Sequence, residues 1–544
     1  MPAENPDLYW HLNAGRWIAA HAAVPRIEFW SWTMAGTPWV DFEWLTQVLL
    51  YGAHAAAGCA GVCVLRALFL GGACLLTARV LALQGFGPVG RALGACAFLT
   101  VAVADLGVRA DNVSVFLFAA TLERLESFRL GRVRRVERLA AAFAGAYFLW
   151  GNLHLGWCYG LALIAAYGAG ALAGRGPRPR DFGLLFIAAA LAAQLTPYGP
   201  GGLAVLADHL RALPRLHGTN MEWAAADVTQ PSFWPLAVFG PACLLLQLRR
   251  YLAGRRIVWP LFIASCAFVL AGFSRQRDVS YFALVGVPAA AAALEPVSER
   301  VRRRGAAGLA AALALYAAVC VRPALARPGA DRCRPSGAGA AEFLAREAGV
   351  LGAKKLYHPF EHGGYWAWRL PRPYRVFHDG RYLFLELHAE QNAAFQGSRS
   401  WGEFLDRRGV EVACLRRRTN GQVVEAADGP GGRKVPVLRP LYAGYMPAET
   451  WALVYWDEKD MLFVRRGAAP PEWLAEREYR ALKPDDYELT ELSLRRGKLS
   501  LAGLRAELSR RKSEGPGGAE LGALERWLAD PALGAALSQR ETRR

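Results

Sequence analysis

Apolar runs recur up to about residue 322, at about 61–82, 91–108, 110–129, 137–151, 156–174, 181–196, 231–249, 257–274, 280–295 and 305–322. Most approach the roughly 20 residues that a membrane-spanning helix needs. The pattern predicts a mainly α polytopic transmembrane bundle over 61–322, with about ten or eleven spans. Ahead of it, residues 1–60 form a different zone. Trp17, Phe29, Trp30, Trp32, Trp39, Phe42 and Trp44 crowd residues 13–44, with Pro25, Gly36 and Pro38 at turns. Aromatic rings at this density suit a membrane–water interface, so 13–44 is expected to be a loop on the membrane face. Residues 45–57 are expected to be an interfacial or short buried helix.

Behind the apolar runs the pattern changes. Residues 323–352 are rich in Gly, Ala and Pro and read as a linker. Short β-like runs at Arg375-Val376-Phe377 and at 410–414 predict a compact α+β domain over 353–466. Leu474, Leu482, Leu492, Leu494, Leu501, Leu504 and Leu508 recur at helical spacing, so 467–544 is expected to be a peripheral helical tail.

Charge then orients the bundle. The 544 residues carry 64 Lys and Arg against 46 Asp and Glu, a formal net charge of +18. Such an excess invites a nucleic-acid reading, but the bases sit in short connections between apolar runs, and that distribution excludes it. Arg79 and Arg91, the group from Arg129 to Arg138, the group from Arg175 to Arg180, Arg249 to Arg256, and Arg300 to Arg304 occupy alternate loops. The positive-inside rule makes these five loops cytoplasmic. Residues 1–60, 105–111, 151–157, 197–230, 274–280 and the chain beyond 323 are then external. The expected location is the inner (cytoplasmic) membrane, multi-pass, with an external C-terminal domain. The ten cysteines show no zinc-like spacing.

Several chemically able side chains fall on the external face. Asp7, Trp10 and His11 share the opening stretch, Asp111 opens the third apolar run, and His154 lies between two runs. Glu222 and Arg277 stand in the two later external loops. Carboxylates in this placement can hold a divalent cation or act as a base. Arginine holds phosphate through its planar fork. Each residue also has a plainer reading: Asp111 as a helix N-cap, His154 as an interfacial histidine, Glu361 and Asp379 as parts of the external domain's own fold.

These residues carry a resemblance. Pro6-Asp7-Leu8-Tyr9-Trp10-His11, Asp111-Asn112, Glu222-Trp223 and Arg277 resemble motifs of GT-C type membrane glycosyltransferases. Within that superfamily the chain is similar, remotely, to the catalytic subunit of oligosaccharyltransferase. Pro359-Phe360-Glu361-His362-Gly363-Gly364-Tyr365-Trp366 and Phe377-His378-Asp379-Gly380-Arg381 loosely resemble the acceptor-reading segment there. The resemblance implies a helix ahead of Asp7 and transfer of a sugar from a polyprenyl-phosphate-linked donor to a glycan, lipid or protein acceptor. It implies Asp7, Asp111 and Glu222 as catalytic residues and ligands of a divalent cation, Mg or Mn. Trp10, His11, His154, Arg277, Glu361, Asp379 and Arg381 would bind substrate. The alternative is a catalytically degenerate scaffold that binds a lipid-linked glycan. A transporter fits less well, because transporter sites lie at mid-membrane.

Overall fold

The computed structural model describes residues 5–102, 107, 109–173, 177–219, 223–294, 307–308, 310–311, 335, 337–417, 420–427, 434–515 and 518–529. The chain divides into two compact units. One comprises Met1–Glu28 and Thr37–Arg334; the other comprises Phe29–Gly36 and Pro335–Arg544.

The first unit is helical. Its elements are α1 (Leu8–His21), α2 (Trp44–Leu83), α3 (Pro88–Val101), α4 (Asn112–Arg129), α5 (Val136–Leu153), α6 (Trp157–Ala173), α7 (Pro179–Ala192), α8 (Gly201–Thr219), α9 (Trp234–Leu252), α10 (Trp259–Ser274) and α11 (Val279–Ala293). α1 corrects the first part of the loop expected over 13–44, up to His21, while residues 22–43 carry no helix. Leu8, Leu12, Ala14 and Ile18 lie buried on it, and apolar residues at that spacing stabilise a helix against a neighbour. The interfacial helix and first span expected at 45–57 and 61–82 are joined as α2, with a break at Ala57 and Gly58, where Gly58 takes φ +56°. Phe118, Tyr147, Trp150, Tyr167, Phe268 and Phe282 anchor a continuous apolar core in this unit.

Two described helical stretches, Trp44–Leu83 and Pro231–Leu252, are long and apolar enough to cross a membrane, against the ten or eleven spans expected. Pro88–Val101, Trp157–Ala173 and Trp259–Ser274 are apolar but shorter. The run expected at 305–322 lies almost wholly outside the described residues.

The second unit is α+β. A four-stranded sheet has the order β1 (Leu356–Tyr357), β2 (Val412–Arg416), β6 (Asp460–Arg465), β5 (Trp451–Trp456). β1 and β2 are parallel, while β2–β6 and β6–β5 are antiparallel. A separate hairpin pairs β3 (Gly421–Ala427) with β4 (Lys434–Pro440). Helices α12 (Ala338–Arg346), α13 (Phe360–Arg369), α14 (Leu385–Ala394) and α15 (Ser398–Arg408) belong to this unit. α12 falls in the stretch expected to be a linker; its Ala340, Ala341, Phe343 and Leu344 are buried, which drives the helix.

The tail forms α16 (Pro471–Arg477), α17 (Tyr487–Arg495), α18 (Leu501–Ser513) and α19 (Gly518–Leu528). These helices are less peripheral than their spacing suggests. Tyr479, Leu482, Leu494, Leu504, Leu508 and Leu524 enter the same core as Phe377, Trp401 and Phe463. The segment 29–36 is part of this unit too: Ser31 bridges Val376, and Trp32 packs edge-on against Phe377.

Candidate functional site

The helices of the first unit bring one set of ends together. Asp7 stands at the start of α1, Glu43 at the start of α2, and Asp111 at the start of α4. His154 closes α5, and Tyr159 lies in the first turn of α6. Arg277 and Asp278 form the turn ahead of α11.

Glu43 is the centre of the polar network. Its carboxylate is buried, and a buried carboxylate costs several kcal/mol unless it is paired. His154 Nε2 lies 3.3 Å from one oxygen and His11 Nδ1 3.5 Å from the other. The tautomer of His154 follows from its neighbours. The Gly156 amide donates to His154 Nδ1 at 2.9 Å, so the ring proton is on Nε2 and faces Glu43. Ser114 Oγ lies 2.8 Å from the same Nδ1 and accepts the Trp150 indole N–H at 2.7 Å. Trp150, Ser114, His154 and Glu43 thus form a directed chain of hydrogen bonds. Burial pushes the Glu43 carboxyl up, but His11, the hydrogen bond from His154, and Arg277 together outweigh it and hold the group below the ordinary glutamate value. Glu43 is therefore an anion at neutral pH.

Asp111 is different. It occupies the N-cap of α4, yet its side chain makes no capping hydrogen bond, so the cap reading fails. The residue is 5% exposed, and its Oδ1 has no hydrogen-bond partner. Asp7 is half-buried and accepts the Trp10 indole N–H at 3.0 Å. Trp10 in turn lies against His11, with ring centroids 3.7 Å apart.

The positive side of the site is Arg277, whose guanidinium lies 4.6 Å from the centre of the Trp223 ring. Trp223 adjoins His209, which adjoins Phe42, so aromatic rings form one wall. Asp278 is sealed between Tyr159, which donates at 2.6 Å, and Arg275 at 2.5 Å. These two contacts fix the turn that carries Arg277. Glu222 lies outside the described residues.

The candidates in the second unit are placed otherwise. Asp379 and Arg381 form a buried bidentate pair, with Arg381 Nε 2.8 Å and Nη2 2.8 Å from the carboxylate. Trp30 donates to Asp379 Oδ2 at 2.8 Å, and Arg381 stacks 3.8 Å above the Trp30 ring. That geometry clamps the 29–36 segment. Glu361 is on the surface of α13, 3.2 Å from Arg416.

Among the described residues one group of three His, Cys, Asp or Glu side chains has its ligand atoms within 4.8 Å of one another: His362, Cys414 and Asp460, all buried, in the second unit. Its thiol and imidazole suit a zinc-like ion rather than Mg or Mn, which prefer oxygen. In the first unit the orphaned Asp111 Oδ1 is one feature that fits a hard cation.

Sequence reasoning missed Glu43. It is hidden in the aromatic stretch, 32 residues after His11. A signal is present: Asp41-Phe42-Glu43 puts two acids directly before a 40-residue apolar helix. Acids so placed need a structural or chemical reason.

No family model and no curated relative matches the chain by sequence. Solved structures do match it by shape. The crystal structure of the Archaeoglobus fulgidus oligosaccharyltransferase in the apo form superposes over 91% of this chain and 79% of its own, with TM-score 0.55 and 12% identity. The same enzyme tethered to an acceptor peptide containing the NVT sequon matches over 90% and 78%, with TM-score 0.51 and 13% identity. The chain therefore shares the overall fold of this archaeal oligosaccharyltransferase.

Proposed function

We propose that this protein is a multi-pass GT-C type membrane glycosyltransferase. It transfers a sugar from a polyprenyl-phosphate-linked donor to an acceptor on the external face of the cytoplasmic membrane. The observation that carries the reading is the convergence of Asp111, Glu43, His11, His154 and Arg277 at one end of a helical unit with this fold.

Each residue has a part in such a reaction. The acceptor hydroxyl or amide must lose a proton as it attacks the anomeric carbon, while the phosphate leaves with the bonding electrons. A buried carboxylate with an open oxygen is suited to accept that proton, and Asp111 offers one. Asp7, half-buried beside Trp10, orients the acceptor. Glu43 stays ionised and holds both histidines, so His11 or His154 can pass the proton onward. Arg277, braced on Trp223, takes the charge that grows on the leaving phosphate. Asp7, Asp111 and Glu222 are the residues that would hold a divalent cation, with Asp111 then a ligand in place of a base; the cation would supply positive charge beside the phosphate.

The test is a transfer assay on purified full-length protein with a panel of polyprenyl-phosphate sugars. Asp111→Asn and Asp7→Asn are each expected to lower turnover at least about 100-fold, the scale of general acid–base assistance. Chelation with EDTA reports the cation separately. Full activity in Asp111→Asn would sink the assignment. Retained binding of a lipid-linked glycan, with no turnover by the wild type on any donor, would favour the scaffold alternative.

A further inference from the structure

The helices that carry the candidate site have a second polar feature at their other ends. α4 leaves Asp111 and ends at Arg129; at 1.5 Å per residue its length is about 27 Å. α6 runs the same way, and α10 returns from Trp259 toward Arg275. Between these far ends lies a cavity of about 580 Å³, lined by Arg129, Arg255, Arg256, Tyr251, Trp259 and Phe182 among others.

The cavity is built rather than incidental. Arg129 is fixed by Glu126, with Nε at 2.7 Å and Nη2 at 2.8 Å from its carboxylate. Glu126 is fully buried and also accepts the Tyr167 hydroxyl at 2.8 Å. Arg255 and Arg256 are presented by a defined turn after α9. Gly254 takes φ +71°, a conformation side chains disfavour, and the Arg255 amide donates back to the Arg250 carbonyl at 3.0 Å. Arg250 Nε then grips the Arg256 carbonyl at 2.8 Å. Tyr251 and Trp259 meet edge to face, 5.9 Å apart, on the rim.

Three arginines therefore line one cavity, Arg129 held by Glu126 and Arg255 and Arg256 at its exposed side. Like charges gathered in this way repel, and an anion relieves that repulsion. Guanidinium forks match phosphate oxygens. The aromatic pair suits the boundary between headgroup and acyl chain. We propose that this cavity binds the phosphate of an anionic glycerophospholipid, at the end of the unit remote from the transfer site. The loops that supply its arginines are those the positive-inside rule makes cytoplasmic. The lipid as the source of the phosphate rests on the membrane-spanning reading above; neither the cavity nor its anion requires glycosyl transfer.

The test titrates detergent-solubilised full-length protein with dioctanoyl phosphatidylglycerol, dioctanoyl phosphatidylcholine and glycerol phosphate. It compares the wild type, the double variant R255Q/R256Q, and the control R134Q/R135Q, which removes two exposed arginines from a different basic loop. Phosphatidylglycerol is expected to bind at least about 10-fold tighter than phosphatidylcholine, because only the former leaves its phosphate charge uncompensated. The R255Q/R256Q variant should lose about 10-fold or more of that affinity, and the control under about twofold. Weaker binding of glycerol phosphate than of phosphatidylglycerol supports the lipid. Equal binding by glycerol phosphate overturns the lipid and identifies a soluble phosphate ester. Equal losses in both double variants, or no preference between the two lipids, overturn the site.

Discussion

Glu43 shows how a buried charge can organise a site. An isolated carboxylate at this depth would take up a proton or expel its neighbours. Two imidazoles and Arg277 keep it ionised instead. Replacement by glutamine keeps the shape but removes the charge that orients both rings. Glu43→Gln is expected to lower turnover about 100-fold, on the scale of a lost acid–base group, with little change in donor affinity. Steady-state kinetics beside a donor-binding titration separate the two effects; a loss confined to binding would argue for a positioning role in donor recognition alone.

Residue chemistry is only partly legible in the sequence. Alternating charge places Asp7, Asp111, His154 and Arg277 in loops of one sign, and the helix ends that carry them do lie in one unit. The ion pairs are not legible. His11 and His154 are 143 residues apart, and nothing local says that both turn toward one carboxylate at position 43. Asp379 and Arg381 read as acceptor-binding groups only through the resemblance of their segment to an acceptor-reading motif. Their partner, Trp30, lies 349 residues from Asp379, and only long-range folding reveals the clamp.

At the scale of elements, the turn from α5 into α6 leaves no room for a larger residue. A Cβ on Gly156 would lie 2.4 Å from Ser114 Oγ and 2.9 Å from His154 Nδ1. Neither atom can yield without breaking the chain of hydrogen bonds that ends on Glu43. Gly156→Ala is expected to destabilise the first unit by about 1–3 kcal/mol, the usual cost of overpacking. It should also lower activity further than that loss of folded protein explains. Thermal unfolding measured alongside turnover per folded molecule checks this; unchanged turnover would show that the His154 position is not critical.

Element boundaries are legible where composition and packing agree. Residues 353–466 contain the sheet, and the break at Ala57–Gly58 falls between the two helices read from the sequence. They are obscured where burial by distant partners decides the outcome. The second half of α1 reads as an interfacial loop because it opens the stretch 13–44, which aromatics and turn residues crowd. The tail reads as peripheral because its leucines are spaced for one face, with no hint of what that face meets.

For the whole molecule, the second unit carries a pH liability. His358 is fully buried, and burial, aided by His362, pushes its imidazole down to about 3, against the Pro359 carbonyl and Asp379. Burial also holds His378 well below the ordinary histidine value, with His358 and His388 adding to it. His388 is lowered by burial as well, opposed by Glu361. These groups take up protons more readily once unfolded. Their contribution to stability is full above the unfolded value of about 6.5 and is lost as pH falls below it. The unfolding midpoint of the second unit is expected to drop steadily between pH 7 and pH 5. Urea titration followed at a tryptophan of this unit would reveal it, and His358→Gln should flatten the slope. A midpoint independent of pH in that window would contradict the buried neutral cluster.

The excursion of residues 29–36 bears on how the protein is made. On either side of it the chain belongs to the first unit, so the second unit is not contiguous in sequence. A ribosome supplies Trp30 more than 300 residues before Asp379 and Arg381 emerge to receive it. The early segment therefore waits, already synthesised, until the rest of the second unit emerges. A fragment cut at residue 335 would leave the buried Asp379 without its indole donor. Anyone wishing to produce this unit alone has to restore residues 29–36, by fusion or in trans.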